Sequence, residues 1–364
     1  MHNSVSKGER IVKIEEIDKN LAVDSTIDKE GLSFFSFEDE PFRIYGDLRR
    51  EDDGLLYRLP REVAKNTSAG VFGLAACTAG GRVRFRTDSK RVAIIAKYDS
   101  VCSMPHFPLT GSAGLDIYVD NEYVKTFVPP MSMPNKAFEA VAGLDGGKEV
   151  DITINLPLYS KLTHLYIGLE DGASLSAPTP YKHERPILYY GSSITQGGCA
   201  CRPGSVYQSH LTRWLDWDHI NLGFSGSAHA EEAIVNYIAS KDMSVFVCDY
   251  DHNAPNPEFL ERTHMPFYRK VREARPDLPI VFMTRPNSVG SVDRLKRREV
   301  IKKTYDTAVA EGDKNVYFLD PTEHTPFVAD EGTVDHCHPT DLGFYFMAMA
   351  LRPILEEIER KLYN

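Results

Sequence analysis

A short segment rich in serine and glycine directly follows an apolar run in the second half of the chain. Residues 186–190 are typical of a buried strand, and residues 191–197 have the sequence Gly-Ser-Ser-Ile-Thr-Gln-Gly. A serine at the carboxyl end of such a strand lies where α/β sheets bind their ligands, so Ser193 is a candidate nucleophile. The alternative is a turn whose serines cap a following helix, and this segment alone does not decide between the two.

An aspartate and a histidine suited to activate that serine lie near the C-terminus. Asp335 and His338 fall between the last predicted strand and the closing helix, which gives the chain order Ser, Asp, His of triads built on α/β sheets. In such a triad His338 accepts the serine proton, and Asp335 fixes the imidazole tautomer and stabilises its charged form. His336 and His338 could instead bind a metal ion, but the sequence shows no third or fourth ligand, so we expect no metal and no cofactor.

Two further strand ends carry groups that could stabilise an oxyanion. Gly226 follows the predicted strand at residues 219–222, and a flexible glycine can turn its backbone N–H toward a developing negative charge. Asn253 follows the strand at residues 245–248, and its amide would be a further donor beside the backbone N–H of Ser193. Each of these residues alone is more often a turn residue, but such groups at successive strand ends indicate one site.

The elements that must position these residues alternate between apolar strands and helices. We predict strands at residues 186–190, 219–222, 245–248, 279–283 and 316–319, and helices at residues 210–217, 231–240, 255–274, 293–311 and 342–362. This alternation predicts an α/β fold, in which a parallel sheet has helices on both faces and binds ligands at the carboxyl ends of its strands.

In the first half of the chain, apolar residues recur with a different period. Segments such as residues 82–87 and 91–98 alternate apolar and polar side chains, as half-buried antiparallel strands do. We predict a β-sandwich that is jelly-roll-like, although the pattern does not separate this topology from an immunoglobulin-like one. A proline-containing stretch of small residues at 171–180 is the predicted linker, and it divides the chain into a sandwich domain (1–175) and a catalytic domain (176–364).

Composition and charge argue against two classes of partner. The chain has 364 residues, of which 42% are hydrophobic, enough for two folded domains. Its net charge of -10, without a clustered excess of Lys and Arg, argues against nucleic acid, and no segment approaches the length of a membrane span. The six cysteines form no CxxC pair, and the N-terminus has no signal-peptide core. We therefore expect a cytoplasmic protein, or a secreted or periplasmic one if a leader has been removed.

Taken together, these motifs resemble those of the SGNH (GDSL-type) hydrolases over residues 186–364. The resemblance implies a flavodoxin-like sheet and a metal-free esterase, lipase or acyltransferase. It assigns the nucleophile to Ser193, the block-two glycine to Gly226, the block-three asparagine to Asn253, and the Asp-x-x-His block to Asp335 and His338.

Two positions depart from the family pattern. Ser192 replaces the aspartate of the Gly-Asp-Ser block, which matters little if that residue does not touch the substrate. The usual Gly-x-Asn-Asp is replaced by Asp-His-Asn-Ala at residues 251–254. This second departure leaves Asn256 and Asn287 as alternatives to Asn253.

The first half resembles a β-sandwich domain that precedes some SGNH hydrolases. Residues 114–118, Gly-Leu-Asp-Ile-Tyr, match the Gly-x-Asp-Leu-Tyr motif of that domain, with Ile in place of Leu. Asp116 alternates with Leu115 and Ile117 along one strand. We therefore expect it to order a turn or a neighbouring strand rather than to contact substrate.

The predicted function is that of a serine esterase acting on a small-molecule or oligosaccharide ester. The resemblance implies an acyl-enzyme mechanism, and by analogy a β-sandwich fused to a hydrolase domain suggests a carbohydrate ester, with acetyl as the acyl group. Two alternatives stay open. An acyltransferase would use the same acyl-enzyme, exclude water and pass the acyl group to a hydroxyl acceptor. A non-catalytic carbohydrate-binding protein would retain only the fold.

Overall fold

The computed structural model describes residues 27–286, 291–321 and 331–363, and its first part consists mainly of short strands. In chain order the elements of this part are β1 (Leu32–Ser36), β2 (Arg43–Tyr45), β3 (Arg49–Arg50), β4 (Leu56–Tyr57), α1 (Arg61–Thr67), α2 (Ala69–Ala75), β5 (Arg82–Thr87), β6 (Arg91–Ser100), α3 (Leu109–Ser112), β7 (Leu115–Val119), β8 (Glu122–Phe127), β9 (Ala137–Gly143), β10 (Val150–Asn155) and β11 (Lys161–Glu170).

Most of these strands form two antiparallel sheets, with orders β1-β11-β6-β9 and β2-β5-β10-β7-β8. Because side chains alternate between the faces of a strand, each sheet can direct one apolar set inward. Ile94 and Ile167 of the first sheet share a buried core with Phe85 and Ile152 of the second. The predicted pair of packed antiparallel sheets is therefore confirmed.

Helices α1 and α2 interrupt this half, and neither is among the elements predicted from the sequence. Each has seven residues, too few for a clear helical period. Ser68 caps α2, since its Oγ accepts a hydrogen bond from the N–H of Val71 at 3.2 Å. Val71 and Ala75 are buried in the same apolar core as Leu188 and Leu222 of the second half. The first half thus contributes directly to the core beneath the second.

The second part of the chain is a five-stranded parallel sheet with helices. The strands run in the order β13-β12-β14-β15-β16, or 2-1-3-4-5 when counted along this half, which is the flavodoxin-like order. The predicted α/β fold is confirmed. Its elements are β12 (His183–Gly191), α4 (Ser193–Gln196), a 3₁₀ turn (Pro203–Ser205), α5 (Tyr207–Leu215), β13 (Trp217–Gly223), α6 (Glu232–Ser240), β14 (Val245–Asp249), α7 (Pro257–Ala274), β15 (Ile280–Met283), α8 (Val292–Ala310), β16 (Val316–Leu319) and α9 (Asp341–Tyr363).

Helices cover both faces of this sheet. Leu188 and Tyr190 of β12 belong to the core that includes α6, α7 and α8, whereas Tyr189 between them belongs to the core that includes α5 and α9. This alternation explains why the parallel strands are apolar on successive residues. None of the helices in the described ranges is both long and apolar enough to cross a membrane.

The aspartate of the Gly-Leu-Asp-Ile-Tyr motif joins the two halves. Asp116 is fully buried, and its Oδ1 accepts a hydrogen bond from Nδ2 of Asn155 on the neighbouring strand β10 at 2.7 Å. Its Oδ2 accepts from the backbone N–H of Gly204 at 2.8 Å and from Nη1 of Arg202 at 3.2 Å. Arg202 also donates to the hydroxyl of Tyr118 in the same motif. Asp116 therefore orders a neighbouring strand, as predicted, and also holds the loop that follows α4.

A second buried contact between the halves is made by Arg58. Its guanidinium donates to the backbone oxygens of Asn221 at 2.8 Å and Gly223 at 2.9 Å, near the end of β13, and to two carbonyl oxygens of its own half. The ring of Phe224 lies 4.8 Å from the guanidinium carbon. Burial lowers the pKa of Arg58 to about 10, so the side chain stays charged at neutral pH. Carbonyl dipoles at the domain contact therefore stabilise its charge.

Asp116→Ala should lower the free energy of unfolding by about 3 kcal/mol or more, because it leaves Arg202 and the Asn155 amide without their buried acceptor. Urea denaturation followed by circular dichroism measures the change as a lower midpoint. Asp99→Ala is the control, since Asp99 is exposed on strand β6 of the same half and its removal should leave the midpoint nearly unchanged. Equal midpoints for the Asp116→Ala and wild-type proteins would contradict the assigned role.

Candidate active site

Helix α4 begins with Ser193, two residues after β12 ends. Ser192 is its N-cap and accepts a hydrogen bond from the N–H of Ile194 at 3.1 Å, which is a local structural role for the residue that departs from Gly-Asp-Ser. The helix ends after one turn at Gly197, whose φ of 103° is in the left-handed region. A Cβ at Gly191 would lie 2.1 Å from the backbone oxygen of Asp249, so only glycine fits there. These features place Ser193 at the carboxyl edge of the sheet.

The structure brings Ser193, His338 and Asp335 together in one chain of hydrogen bonds. Oγ of Ser193 lies 2.9 Å from Nε2 of His338, and Nδ1 of His338 lies 2.7 Å from Oδ2 of Asp335. Because an ionised carboxylate only accepts, Nδ1 carries the proton and Nε2 of the neutral ring is the acceptor. This arrangement can move a proton from Ser193 to His338.

A tight loop holds the aspartate and the histidine in register. Oδ1 of Asp335 accepts hydrogen bonds from the backbone N–H groups of Cys337 at 3.1 Å and His338 at 2.7 Å. The N–H of Val334 donates to the backbone oxygen of His338 at 2.9 Å, and His336 turns the chain between them with a φ of 64°. The Asp-x-x-His spacing thus lets one loop hold both side chains.

The surroundings shift the pKa of both groups. The side chain of Cys337 makes the largest contribution and raises the pKa of His338 to about 9; burial opposes this shift, and the bond to Asp335 adds to it. Burial would raise the pKa of Asp335, but hydrogen bonds from His338 and Cys337 lower it below its ordinary value. Asp335 is therefore ionised at neutral pH, and His338 binds a proton more readily than an isolated histidine.

Gly226 and Asn253 lie in adjacent loops at the ends of β13 and β14. Oδ1 of Asn253 accepts a hydrogen bond from the N–H of Ala228 at 3.3 Å, which joins the two loops. The N–H of Ser225 donates to Oε1 of Gln196 at 3.0 Å and so joins the glycine loop to α4. Within the described ranges, neither the N–H of Gly226 nor Nδ2 of Asn253 donates to a protein acceptor. Both donors are therefore available to a ligand.

Of the two asparagines that are alternatives to Asn253, the structure describes Asn256. Asn256 is the N-cap of α7, and its Oδ1 accepts a hydrogen bond from the N–H of Phe259 at 2.7 Å, with Pro257 at the first position of the helix. The structure thus gives Asn256 a helix-capping role. Asn287 lies outside the described residues.

Two side chains from the sandwich half contact the same site, and the sequence analysis does not single them out. The hydroxyl of Tyr159 donates to the backbone oxygen of Ser193 at 3.3 Å. His106 is exposed, and its ring centroid lies 6.1 Å from that of His338. Both are placed by the docking of one half on the other, so no local sequence pattern indicates them.

The loop of His338 is also tied to the loop of Asn253. Nδ1 of His252 lies 2.7 Å from Nη1 of Arg285, and Nε2 of His252 lies 2.9 Å from Sγ of Cys337. A guanidinium cannot accept, so Nδ1 of His252 accepts and Nε2 donates to the sulfur. Burial, with Arg285 nearby, lowers the pKa of His252 to about 3, which keeps the ring neutral. This link fixes Cys337 directly beside the general-base candidate.

Metal-type donors within the described ranges occur in two groups of three. One group is His106, Cys199 and His338, and the other is Asp335, Cys337 and His338. Neither group contains His336. Among the described residues, no group of three metal-type donors thus contains both His336 and His338, the pair of the alternative metal interpretation.

Comparison with known proteins agrees with this architecture. Residues 184–356 match the GDSL-like lipase/acylhydrolase family, and residues 32–175 match the GxDLY domain, the N-terminus of SGNH-hydrolase-type esterases. No curated protein matches the sequence significantly.

Similar solved structures span nearly the whole chain. A protein from Bacteroides ovatus described as a GDSL-like lipase is 26% identical with a TM-score of 0.80, over 90% of this chain and 98% of that one. The salicylyl-acyltransferase SsfX3 of a tetracycline biosynthetic pathway is 22% identical with a TM-score of 0.74, also over 90% and 98%. A family two carbohydrate esterase from Cellvibrio japonicus is 14% identical with a TM-score of 0.60, over 91% and 99%.

The fold and the two family matches define an esterase of the SGNH type with an N-terminal sandwich domain. Residues 184–356 form a domain of the GDSL-like lipase/acylhydrolase family, as the resemblance predicts, and a GxDLY domain precedes it.

The esterase activity should rise with pH up to about pH 9. Only the neutral imidazole can accept the serine proton, and the pKa of His338 is raised to about 9. Activity should therefore keep increasing above the ordinary histidine pKa of about 6.5. Measurements of kcat/KM against pH test this. Cys337→Ala removes the largest raising contribution and should move the rising limb to lower pH. A wild-type profile that is flat above neutrality, or a limb that does not move in Cys337→Ala, would contradict the assignment.

Proposed function

We propose that the protein is a serine esterase that hydrolyses acetyl esters of a carbohydrate, with Ser193 as nucleophile, His338 as general base and Asp335 as its orienting carboxylate. The observation that carries this proposal is the chain of hydrogen bonds from Oγ of Ser193 through both ring nitrogens of His338 to Asp335. Such a chain at the carboxyl edge of an α/β sheet is the arrangement that activates a serine.

In the acylation half of the proposed reaction, Oγ of Ser193 attacks the ester carbonyl carbon while its proton passes to Nε2 of His338. The negative charge on the carbonyl oxygen of the tetrahedral intermediate would be bound by the N–H groups of Ser193 and Gly226 and by Nδ2 of Asn253. Ser193 is the first residue of α4, so its N–H has no acceptor within the helix. The intermediate collapses to an acyl-enzyme as the bond to the sugar oxygen breaks, and His338 gives its proton to that oxygen, which leaves as a hydroxyl.

In the deacylation half, water takes the place of the alcohol. His338 accepts a proton from the water as its oxygen attacks the acyl carbon, and the second tetrahedral intermediate expels Oγ of Ser193. The proton on Nε2 then returns to Ser193, and the carboxylic acid leaves. No step requires an ion or a cofactor, because the imidazole carries each proton.

The choice of a carbohydrate acetyl ester is supported by relatives that share both halves of the chain. The Cellvibrio japonicus protein is a carbohydrate esterase, and an acetyl xylan esterase from Butyrivibrio proteoclasticus has a TM-score of 0.56 at 12% identity, over 91% of this chain. At these identities the likeness concerns the fold, so the substrate belongs to the proposal.

Acyl transfer is the second candidate, and one observation favours it. SsfX3, an acyltransferase, shares both halves with this chain at a higher TM-score than the carbohydrate esterases do. Transfer would use the same acyl-enzyme, with an acceptor hydroxyl in place of water. A purely carbohydrate-binding protein would have no need of the hydrogen-bonded Ser193, His338 and Asp335, which counts against that third alternative.

Ser193 should be the residue that becomes acylated. We expect a fluorophosphonate to label it covalently, since a serine activated by a histidine attacks phosphorus as it attacks an acyl carbon. An acetate-release assay on acetylated oligosaccharides and aryl esters should show turnover, and Ser193→Ala should lower kcat by a factor of about 10⁴ to 10⁶.

Peptide mapping of the labelled protein supplies the control. A label on Ser192 or Ser225 in place of Ser193 would exclude the assigned nucleophile. An acyl group transferred to an added alcohol faster than to water would identify the acyltransferase alternative.

Asn253→Ala should lower kcat by a factor of about 10² to 10³ with little change in KM, because a hydrogen bond to the oxyanion forms chiefly in the transition state. Steady-state kinetics on an aryl acetate measure the effect. Asn256→Ala is the matched control: as the N-cap of α7 it should cost about 1 kcal/mol of stability and leave kcat nearly unchanged. The opposite pattern would show that Asn256 is the oxyanion donor.

A further inference from the structure

Two further side chains with zinc-type donor atoms, those of His106 and Cys199, lie beside the imidazole of His338. The ligand atoms of His106, Cys199 and His338 all lie within 4.8 Å of one another. The ring centroids of the two histidines are 6.1 Å apart. A Cβ on Gly198 would lie 3.4 Å from Cδ2 of His338, so the segment that carries Cys199 lies against the imidazole. The cluster therefore joins three distant segments of the chain, one of them from the sandwich half.

We propose that His106, Cys199 and His338 bind Zn²⁺ and that the bound ion inhibits the esterase. Imidazole nitrogen and thiolate sulfur are the ligands that zinc prefers, at about 2.0 to 2.3 Å in a tetrahedral site. Tetrahedral donors at those bond lengths are about 3.5 Å apart, so the three ligand atoms must move closer together to bind an ion, and the exposed side chain of His106 is free of the packing that would oppose this. Water would complete the site as the fourth ligand.

The carboxylate next to His338 favours its use as a zinc ligand. Zinc-binding histidines commonly donate their second ring N–H to a carboxylate, which fixes the tautomer and raises the basicity of the ligand nitrogen. Asp335 already accepts from Nδ1 of His338 at 2.7 Å, so the neutral ring has its lone pair on Nε2. The contact that orients His338 toward Ser193 therefore also prepares it to bind a metal ion.

Binding at Nε2 explains why the ion would inhibit. The zinc takes the lone pair that would accept the proton of Ser193 and replaces the 2.9 Å contact between them. Cys199 binds as a thiolate and His338 as the neutral imidazole, so the thiol proton and any proton on Nε2 are released to solvent for each ion, and the Ser193 hydroxyl keeps its own proton. The inhibitory part of this inference rests on the proposed function; the metal site does not.

The second donor group near His338 is a weaker site. Oδ1 and Oδ2 of Asp335 accept three hydrogen bonds from within its own loop. Sγ of Cys337 is bonded to Nε2 of His252 at 2.9 Å. A metal ion held by Asp335, Cys337 and His338 would have to break these contacts, whereas His106 is exposed and can move.

The metal site can be tested without an activity assay. The full chain carrying Ser193→Ala is titrated with Co²⁺, a spectroscopic substitute for zinc, and the absorption of thiolate-to-cobalt charge transfer is recorded. We expect one equivalent to bind, zinc to displace it, Cys199→Ser to abolish the band, and His106→Ala to weaken binding at least tenfold. Cys201→Ser is the matched control, because Cys201 is an exposed thiol two residues away and its loss should leave the band unchanged.

Inhibition is then measured on protein with an intact Ser193. Zinc should inhibit acetate release and Mg²⁺ should not, since magnesium prefers oxygen ligands. The inhibitory zinc concentration should rise at least tenfold in His106→Ala and Cys199→Ser, each compared with its own rate without zinc, and should not change in Cys201→Ser. Circular dichroism checks that Cys199→Ser folds; if it does not, His106→Ala and His106→Gln carry the test.

The outcomes separate the two proposals. A band that persists in Cys199→Ser and disappears in Cys337→Ser would assign the metal to the other donor group and overturn the inference. Normal hydrolysis without any cobalt band would refute the metal site alone. A band that depends on Cys199 in a protein whose wild-type form hydrolyses no ester would uphold the metal site and refute the proposed function.

Discussion

The active site depends on a helix that cannot hold itself in place. Helix α4 has four residues, a single turn, and an isolated helix of that length is not stable in water. Its carbonyl groups and side chains are therefore held from outside: Tyr159 donates to the backbone oxygen of Ser193 at 3.3 Å, and Nδ2 of Asn221 donates to that of Thr195 at 2.7 Å. The first contact comes from the sandwich half and the second from β13. The position of Ser193 therefore depends on both halves of the chain.

Charged groups buried between the halves stabilise their contact. Arg82 of the sandwich is paired with Asp218, and its Nη1 lies 2.8 Å from Nδ1 of His219. Burial raises the pKa of Asp218 to about 6 against the effect of Arg82, so the carboxylate depends on its partner to stay charged. Separating the halves would expose apolar surface at the contact and break these pairs. Breaking a buried ion pair costs several kcal/mol. The sandwich is accordingly a structural part of the enzyme.

Much of the parallel-sheet half could be predicted from the sequence, because its strands are short apolar runs and its helices are long. The order of the strands in the sheet cannot be predicted from sequence periodicity, and only the family resemblance implies it. Helices α1 and α2 are too short to show a period. The capping role of Asn256 was not predicted, although asparagine followed by proline is a helix-start signal that indicates it. The position of His106 was not, because it depends on how two halves pack that are far apart in sequence.

The two halves contribute different residues to the site. The candidate site residues Ser193, Gly226, Asn253 and His338 all follow strands of the parallel sheet, which is a rigid frame. His106 lies on a loop of the sandwich, and loops change in sequence more readily than the sheets that carry them. The sandwich loop can therefore change what lies beside His338 without moving the hydrogen bond between His338 and Ser193. In the proposed esterase, selectivity and catalysis could then change independently within one fold.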